Sequence, residues 1–458
     1  MRYFLLLAII FCTQFGNAQK NERIENKQDV ISKQLQDFNI FKETMLAYHA
    51  GLYVYNDTLT IQKRLDEMEQ KMGAKIHTPL EILAFYMKFN ASIQCIHSFT
   101  AYKQYNLLAK QFIAFNSLLY YCNNELFVTK NYTSKEVTLQ KNDQIILLNN
   151  EEIKNIKDSL EEYVATDGNN LTYKELSLRN RFFRFYALYR PTTEQVNITY
   201  VRGKDTLSAS FPLSAIVVEL PKNVKKSRNI PFVVSYNQAK NYARIQLPNP
   251  LPGTREYKRQ VRHVFKKVNK LGITQLVIDL RDNGGGITQG TLLNYLVDTA
   301  VLYQTMVFRS FKNAPHKKYF YKRFNTQHVV TFFKKQSVKN INPNNLYNGK
   351  IIVLINGNTG SAASNCAATL KQWSNAVIVG EESGGGYLMC NTGGPMLRLP
   401  NSKVIIPIRT VNCYNNVTKC DDHSGVTPDI YVSPLCGFEK SSDAVLDYVI
   451  QNLIDKTK

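Results

Sequence analysis

At 458 residues and 44% hydrophobic content, the chain has the composition of a globular protein and the length of roughly two to four domains. A formal charge of +21 raises the question of nucleic acid. Its lysines are scattered, however, as at Lys222, Lys225, Lys226, Lys317, Lys318, Lys334 and Lys335, with no aromatic-and-basic stripe and no zinc-knuckle pattern. The charge therefore reads as solvated surface, and no nucleic-acid partner is expected.

Residues 1–18, MRYFLLLAIIFCTQFGNA, set Arg2 before an apolar run and end in small residues before Gln19, the layout of a secretory signal peptide cut after Ala18. The apolar run is too short to span a membrane. The expected destination is the periplasm or cell envelope, or secretion. Phe11 is bulky where lipid attachment at Cys12 wants a small residue. Seven cysteines follow the signal, an odd number that leaves at least one thiol free or paired between chains. Cys413 and Cys420 flank YNNVTK, a hairpin-like loop, and form the first expected disulfide. Cys413, Cys420 and His423 are spaced like metal ligands but lack a fourth, so neither a metal nor a cofactor is expected.

Residues 19–122 read as a helical N-terminal domain. Phe38, Phe41, Met45, Leu65 and Met68 recur at helical spacing, and Thr78-Pro79-Leu80-Glu81 is a helix start with a capping box. The helix it opens ends near Cys95, followed by His97, which beside Ile93, Ile96 and Phe99 has the setting of a packed structural histidine. Residues 123–220 alternate short strands (LFVTK, EVTLQ, QIILLNN, VNITYVRG, DTLSASFPL) around one helix, EEIKNIKDSLEEYV. That order looks like a PDZ-type module, although Asn142 stands where such modules place glycine and the insert from Thr166 to Arg190 is long.

Residues 230–458 alternate strand and helix, which argues for an α/β core around a mainly parallel sheet. Asn241 to Leu247 reads as a strand, REYKRQVRHVFKKVNKLG as an amphipathic helix, and Leu276 to Leu280 as a buried strand before the glycine turn Gly284–Gly286. That turn lacks the spacing of a nucleotide cradle, because Gln289 stands where a third glycine should be. Ile351 to Ile355 is a second buried strand, followed by a turn and a helix opening at Ser361, then a strand over Ala376 to Val379 and a glycine loop. A serine at a helix start is ordinarily a cap, but a hydroxyl beside free backbone N–H groups can also attack a carbonyl.

Two of these segments, Asp279-Leu280-Arg281-Asp282-Asn283-Gly284-Gly285-Gly286 and Thr359-Gly360-Ser361-Ala362, resemble in order and separation the D-L-R-x-N-x-G-G and T-x-S-A segments of the tail-specific, or C-terminal-processing, serine peptidase family. The likeness covers roughly residues 235–435. It implies a crotonase-like (ClpP/crotonase) α/β core, often with a PDZ-type domain, and endopeptidase activity near protein C-termini. One branch uses a Ser-Lys pair, but Gly386 occupies the lysine position here and EESGGGYLMCN has no lysine; Lys371 is the remaining substitute. The tricorn-core and retinoid-binding-protein-like branch uses Ser-His-acid. Its pattern implies Ser361 as nucleophile, His97 as base in Cys95-Ile96-His97-Ser98, and Asp422 as the orienting acid before Gly425-Val426-Thr427-Pro428-Asp429, with Asp421 and His423 as rivals and His49 as the competing base. Ala362 and the Gly284–Gly285 turn are the expected oxyanion donors. A member that binds peptide tails or hydrophobic ligands without cleaving them is the alternative.

Overall fold

The computed structural model describes residues 26–98, 109–218, 231–249, 254–286, 290–310, 314–321, 332–338, 346–418, 425–433 and 443–457. The signal segment, the basic linker near 220–229, and Cys420, Asp421, Asp422, His423 and Cys436 lie outside them. None of the described helices is long and apolar enough to cross a membrane.

Among the described residues four helices come first: α1 (Lys27–Tyr48), α2 (Thr58–Ala74), α3 (Pro79–Ser92) and α4 (Lys110–Asn116). The Asp57 carboxylate accepts the Thr60 N–H and starts α2 after the turn that follows α1. The capping box of α3 forms in both directions, Glu81 N–H to Thr78 Oγ1 at 3.2 Å and Thr78 N–H to the Glu81 carboxylate at 2.8 Å. An antiparallel sheet follows, built from β1 (Leu119–Cys122), β2 (Glu125–Val128), β3 (Gln144–Leu148), β4 (Glu151–Glu152), β5 (Gln195–Arg202) and β6 (Asp205–Pro212). Glu151 and Glu152, expected in a first helical turn, instead pair with β3, and α5 (Ile153–Glu161) starts after them. The long insert folds as α6 (Leu171–Arg179) and α7 (Phe182–Tyr189). One hydrophobic cluster runs from Phe38 through Phe183 to Phe211 and joins the N-terminal helices to this sheet.

The C-terminal half is organised by a second sheet: β7 (Val233–Asn237), β8 (Tyr242–Gln246), β9 (Gln275–Asp279), then β12 (Lys350–Ile355), β13 (Val377–Gly380) and β16 (Ile430–Tyr431). Between and beside these lie β10 (Leu302–Phe308), β11 (Phe332–Ser337), β14 (Met389–Thr392) and β15 (Val411–Asn415), which form a separate antiparallel sheet in the order β11-β10-β15-β14. The main sheet runs β16-β13-β12-β9-β8-β7, parallel except for β7. Side chains alternate across it: Ile351, Val353 and Ile355 pack with helices α8 (Arg255–Lys270), α9 (Gly290–Leu293) and α10 (Ala362–Trp373), while Ile352 and Leu354 meet Val445 and Val449 of the last helix. Burial on both faces is why β9 and β12 read as continuous apolar runs.

Register fixes where the loops emerge. Asp279 pairs with Leu354, and Ile355 with Gly380, so β9, β12 and β13 end level with one another. Their following loops, Leu280–Gly286, Asn356–Ser361 and Glu381–Gly386, therefore share one edge, the carboxyl end of a parallel sheet. A hairpin over Met396–Arg398 and Ile405–Pro407 sends Leu397, Leu399, Val404, Ile406 and Ile408 into the N-terminal cluster, which docks the two halves of the chain.

Candidate active site

Ser361 sits between β12 and α10 with φ 49° and ψ −124°, outside the regions favoured by residues with a Cβ. Its side chain makes no capping hydrogen bond. A serine that starts a helix in a strained conformation without capping it is a hydroxyl held for another purpose, at a cost of roughly 1–3 kcal/mol. Two glycine segments flank it closely. A Cβ on Gly285 would fall 2.7 Å from Ala362 N, and one on Gly385 2.7 Å from Ser361 N. Thr359 secures the turn by donating to Leu280 O at 2.9 Å, and Ser364 Oγ donates to Thr359 O at 2.7 Å. Ala362 opens α10 beside this turn; the Gly285 N–H is engaged by Asn283 Oδ1 at 3.0 Å, and Gly284 next to it is exposed.

The Asp279-Leu280-Arg281 segment braces the neighbouring strand end. Asp279, 2% exposed, receives Arg244 and Arg281, and Arg281 also reaches Asp443 at 2.5 and 2.7 Å. Lys371 is spent elsewhere: its Nζ donates to Thr427 O at 2.6 Å and to Asp429 at 2.8 Å. It also stands ten positions beyond Ser361 on the same helix, about 15 Å along the axis. A Ser-Lys pair is not formed by this residue.

His97 lies on a tight turn just after α3, where Gln94 adopts φ 60° and Ser98 N–H donates to Cys95 O. The turn is held from several sides. Arg409 Nε donates to His97 O at 2.6 Å, and the Asp167 carboxylate accepts Ile96 N–H at 2.9 Å. Burial, followed by the Arg409 charge, pushes the His97 pKa down to about 4, so the ring is neutral near pH 7, as a general base must be. Its Nδ1 is buried and has no hydrogen-bond partner among the described residues. His49 differs. Gly51 N–H donates to its Nδ1, so Nε2 carries the proton and meets Ser98 Oγ at 2.9 Å; one nitrogen serves its own turn and the other the turn that holds His97.

Asp167, in the long insert, was not singled out by the sequence pattern. Its second carboxylate oxygen accepts Gly386 N–H at 3.2 Å, so one side chain links the His97 turn to the glycine loop beside Ser361. Burial raises its pKa to about 7, against the two N–H donors that lower it. The insert grips the same loop again through Asn170 Nδ2 to Ser383 O at 2.7 Å and Thr172 Oγ1 to Glu382 at 3.0 Å. The sole hint in the sequence is the Thr-Asp-Gly turn at 166–168. Among the described residues no hydrogen bond joins the His97 ring to Ser361; Asp167, Gly386 and Gly385 connect their neighbourhoods.

Cys413 does not form the expected disulfide with Cys420. It is a free buried thiol inside β15, opposite Cys390 of β14, because the strand continues through it instead of turning there. Cys122 is disulfide-bonded; Cys95, Cys366, Cys390 and Cys413 are free, so its partner lies outside the described residues.

Comparison with known proteins matches residues 241–432, which hold Ser361 and both glycine segments, to peptidase family S41. The match covers 192 of the 458 residues. Residues 241–432 are thus a serine-type peptidase core with an α/β peptidase fold. The S41 core and its N-terminal helices together are similar in fold to mature CPAF, at 12% identity and TM-score 0.56, over 88% of this chain and 93% of that one. The photosystem II D1 C-terminal processing protease aligns at 14% identity and TM-score 0.40 (88% and 93% covered), and the tricorn protease at 14% and 0.38 (93% and 37% covered). The likeness of fold rests on the first of these. No curated protein matches the sequence.

Proposed function

We propose that the protein is an exported endopeptidase that cuts proteins or peptides near their C-termini through an acyl-enzyme. The observation that carries this reading is Ser361, strained and free of any capping role at the edge where three loops converge. Ser361 Oγ attacks the scissile carbonyl while His97 takes its proton, and His97 then protonates the leaving amine. Asp422 orients the imidazole and steadies the imidazolium. Ala362 N–H and the Gly284–Gly285 turn hold the oxyanion, with Gly285 released from Asn283 as substrate enters. The contact between His97 and Ser361 tightens in the same event, as is common between free and bound enzymes.

The core is read as crotonase-like, and residues 123–220 as a PDZ-like module that receives the substrate tail as an added strand. A disulfide at Cys122 supports export, since such bonds persist in oxidising compartments. The test is labelling by a fluorophosphonate probe. Wild type is expected to react and Ser361→Ala not, while His97→Ala loses peptide cleavage by about 10³-fold or more. Equal labelling of wild type and Ser361→Ala, or a folded wild type that binds peptides and never labels, overturns the enzyme reading in favour of a binding role.

A further inference from the structure

We propose that Cys95, His97 and Asp167 form a binding site for a zinc-class divalent cation, whose occupancy inhibits the peptidase by taking the lone pair of its base. The inhibitory half rests on the role proposed for His97; the binding half does not.

One donor atom from each of the three residues lies within 4.8 Å of the other two. Thiolate, imidazole and carboxylate are the three donor types that zinc accepts, and the thiolate discriminates against magnesium and calcium. Zinc bonds of about 2.0–2.3 Å ask the donors to stand somewhat closer together. Binding therefore requires the Cys95 and His97 side chains to turn toward Asp167. The thiol's approach to Asn391 O is long, 3.9 Å, and its other neighbours are Ser98 and the His97 backbone of the same turn. His97 Nδ1 has no partner among the described residues, whereas both nitrogens of His49 nearby are committed.

The Asp167 carboxylate is already oriented by Ile96 and Gly386 N–H groups, the kind of outer support that fixes a metal-binding carboxylate, and each oxygen keeps a free lone pair. Binding breaks the Cys95 S–H bond, releases that proton to solvent and forms the metal–sulfur bond, with no change of oxidation state. Thiolate and carboxylate then cancel the dication, so the buried cluster carries no net charge of its own. Burial, then the Asp167 charge, push the free Cys95 thiol up to about 11 against the nearby Arg409, so the thiolate forms with the metal and not before it. Cys95 is fully buried and Asp167 2% exposed, and His97 is mostly buried, so the cluster is shielded from bulk water.

The probe is Co²⁺, titrated into the full chain carrying Ser361→Ala so that the readout is independent of cleavage. One equivalent is expected to bind with a thiolate-to-cobalt charge-transfer band that zinc displaces. Cys95→Ser should abolish the band, and His97→Ala should weaken binding at least tenfold. In active protein, Cys95→Ser should raise the zinc concentration for half-inhibition at least tenfold. Absence of the band from Ser361→Ala, its persistence in folded Cys95→Ser, or affinity unchanged by His97→Ala overturns the site. Zinc inhibition equal in wild type and Cys95→Ser overturns the inhibitory role. A chain that binds cobalt as described but never cleaves peptide refutes the endopeptidase reading alone.

Discussion

Replacing Gly285 with alanine isolates what the glycine turn does for Ser361. The added Cβ meets Ala362 N at 2.7 Å, Gly360 O at 2.8 Å and Ser361 Cβ at 2.8 Å, all backbone or nearly so and unable to rotate away. Relief to an ordinary contact of about 3.4 Å moves the nucleophile turn by roughly 0.7 Å, and the native φ of 99° adds roughly 1–2 kcal/mol of strain for any residue with a Cβ. A displacement of that size at the reacting atom costs on the order of 10²-fold in rate, or about 2.7 kcal/mol of barrier. Gly203 supplies the control, since it also has positive φ, 61°, but nothing within 4 Å of an added Cβ. Gly203→Ala should lose only about 1 kcal/mol of stability and no activity. Fluorophosphonate labelling rates and kcat/KM on a peptide, read beside urea unfolding, separate the two effects. Labelling of Gly285→Ala within threefold of wild type would refute the idea that this turn positions the serine, as would an equal loss in Gly203→Ala.

Lys371→Met should leave labelling within about twofold of wild type and cost no more than about 1 kcal/mol in urea unfolding, because it removes a partly exposed pair with Asp429; loss of labelling would restore the lysine as a base. His49 carries a pH signature. Burial, then Arg409 and Arg309, lower its pKa from 6.5 to about 3, so the unfolded chain takes up a proton that the folded one refuses. Stability should therefore be lost as pH falls below 6.5 and continue falling toward pH 3, at up to about 1.4 kcal/mol per pH unit from this residue. His49→Gln should flatten that decline by about 2 kcal/mol between pH 6.5 and 5 in urea unfolding; parallel profiles for the two proteins would count against it.

The main sheet was legible because its strands are buried on both faces: QLVID and IIVLI read as apolar runs, and Thr78–Glu81 announced its helix by its own side chains. Ser361 and Gly285 were legible because a sharp turn and a close approach restrict residue type locally. The sheet β11-β10-β15-β14 was not, since strands such as KIIVLI have a simple pattern and VNCYN, with buried Asn412 and Asn415, does not. Those asparagines bond to Asn391, Asn365 and Tyr387, partners no periodicity reveals. Asp167 escaped notice for the same reason. Its meaning comes from Ile96 and Gly386, 71 and 219 positions away.

That separation has a consequence for the life of the chain. The turn bearing His97 takes its shape from Asp167 and Arg409, residues made early and late in synthesis, while Ser361 comes between them. No contiguous fragment shorter than about residues 97–422 contains every residue of the proposed site. On the proposed mechanism a nascent or clipped chain lacks part of the site, and the capacity to cut arises as a late product of folding, after both ends have met.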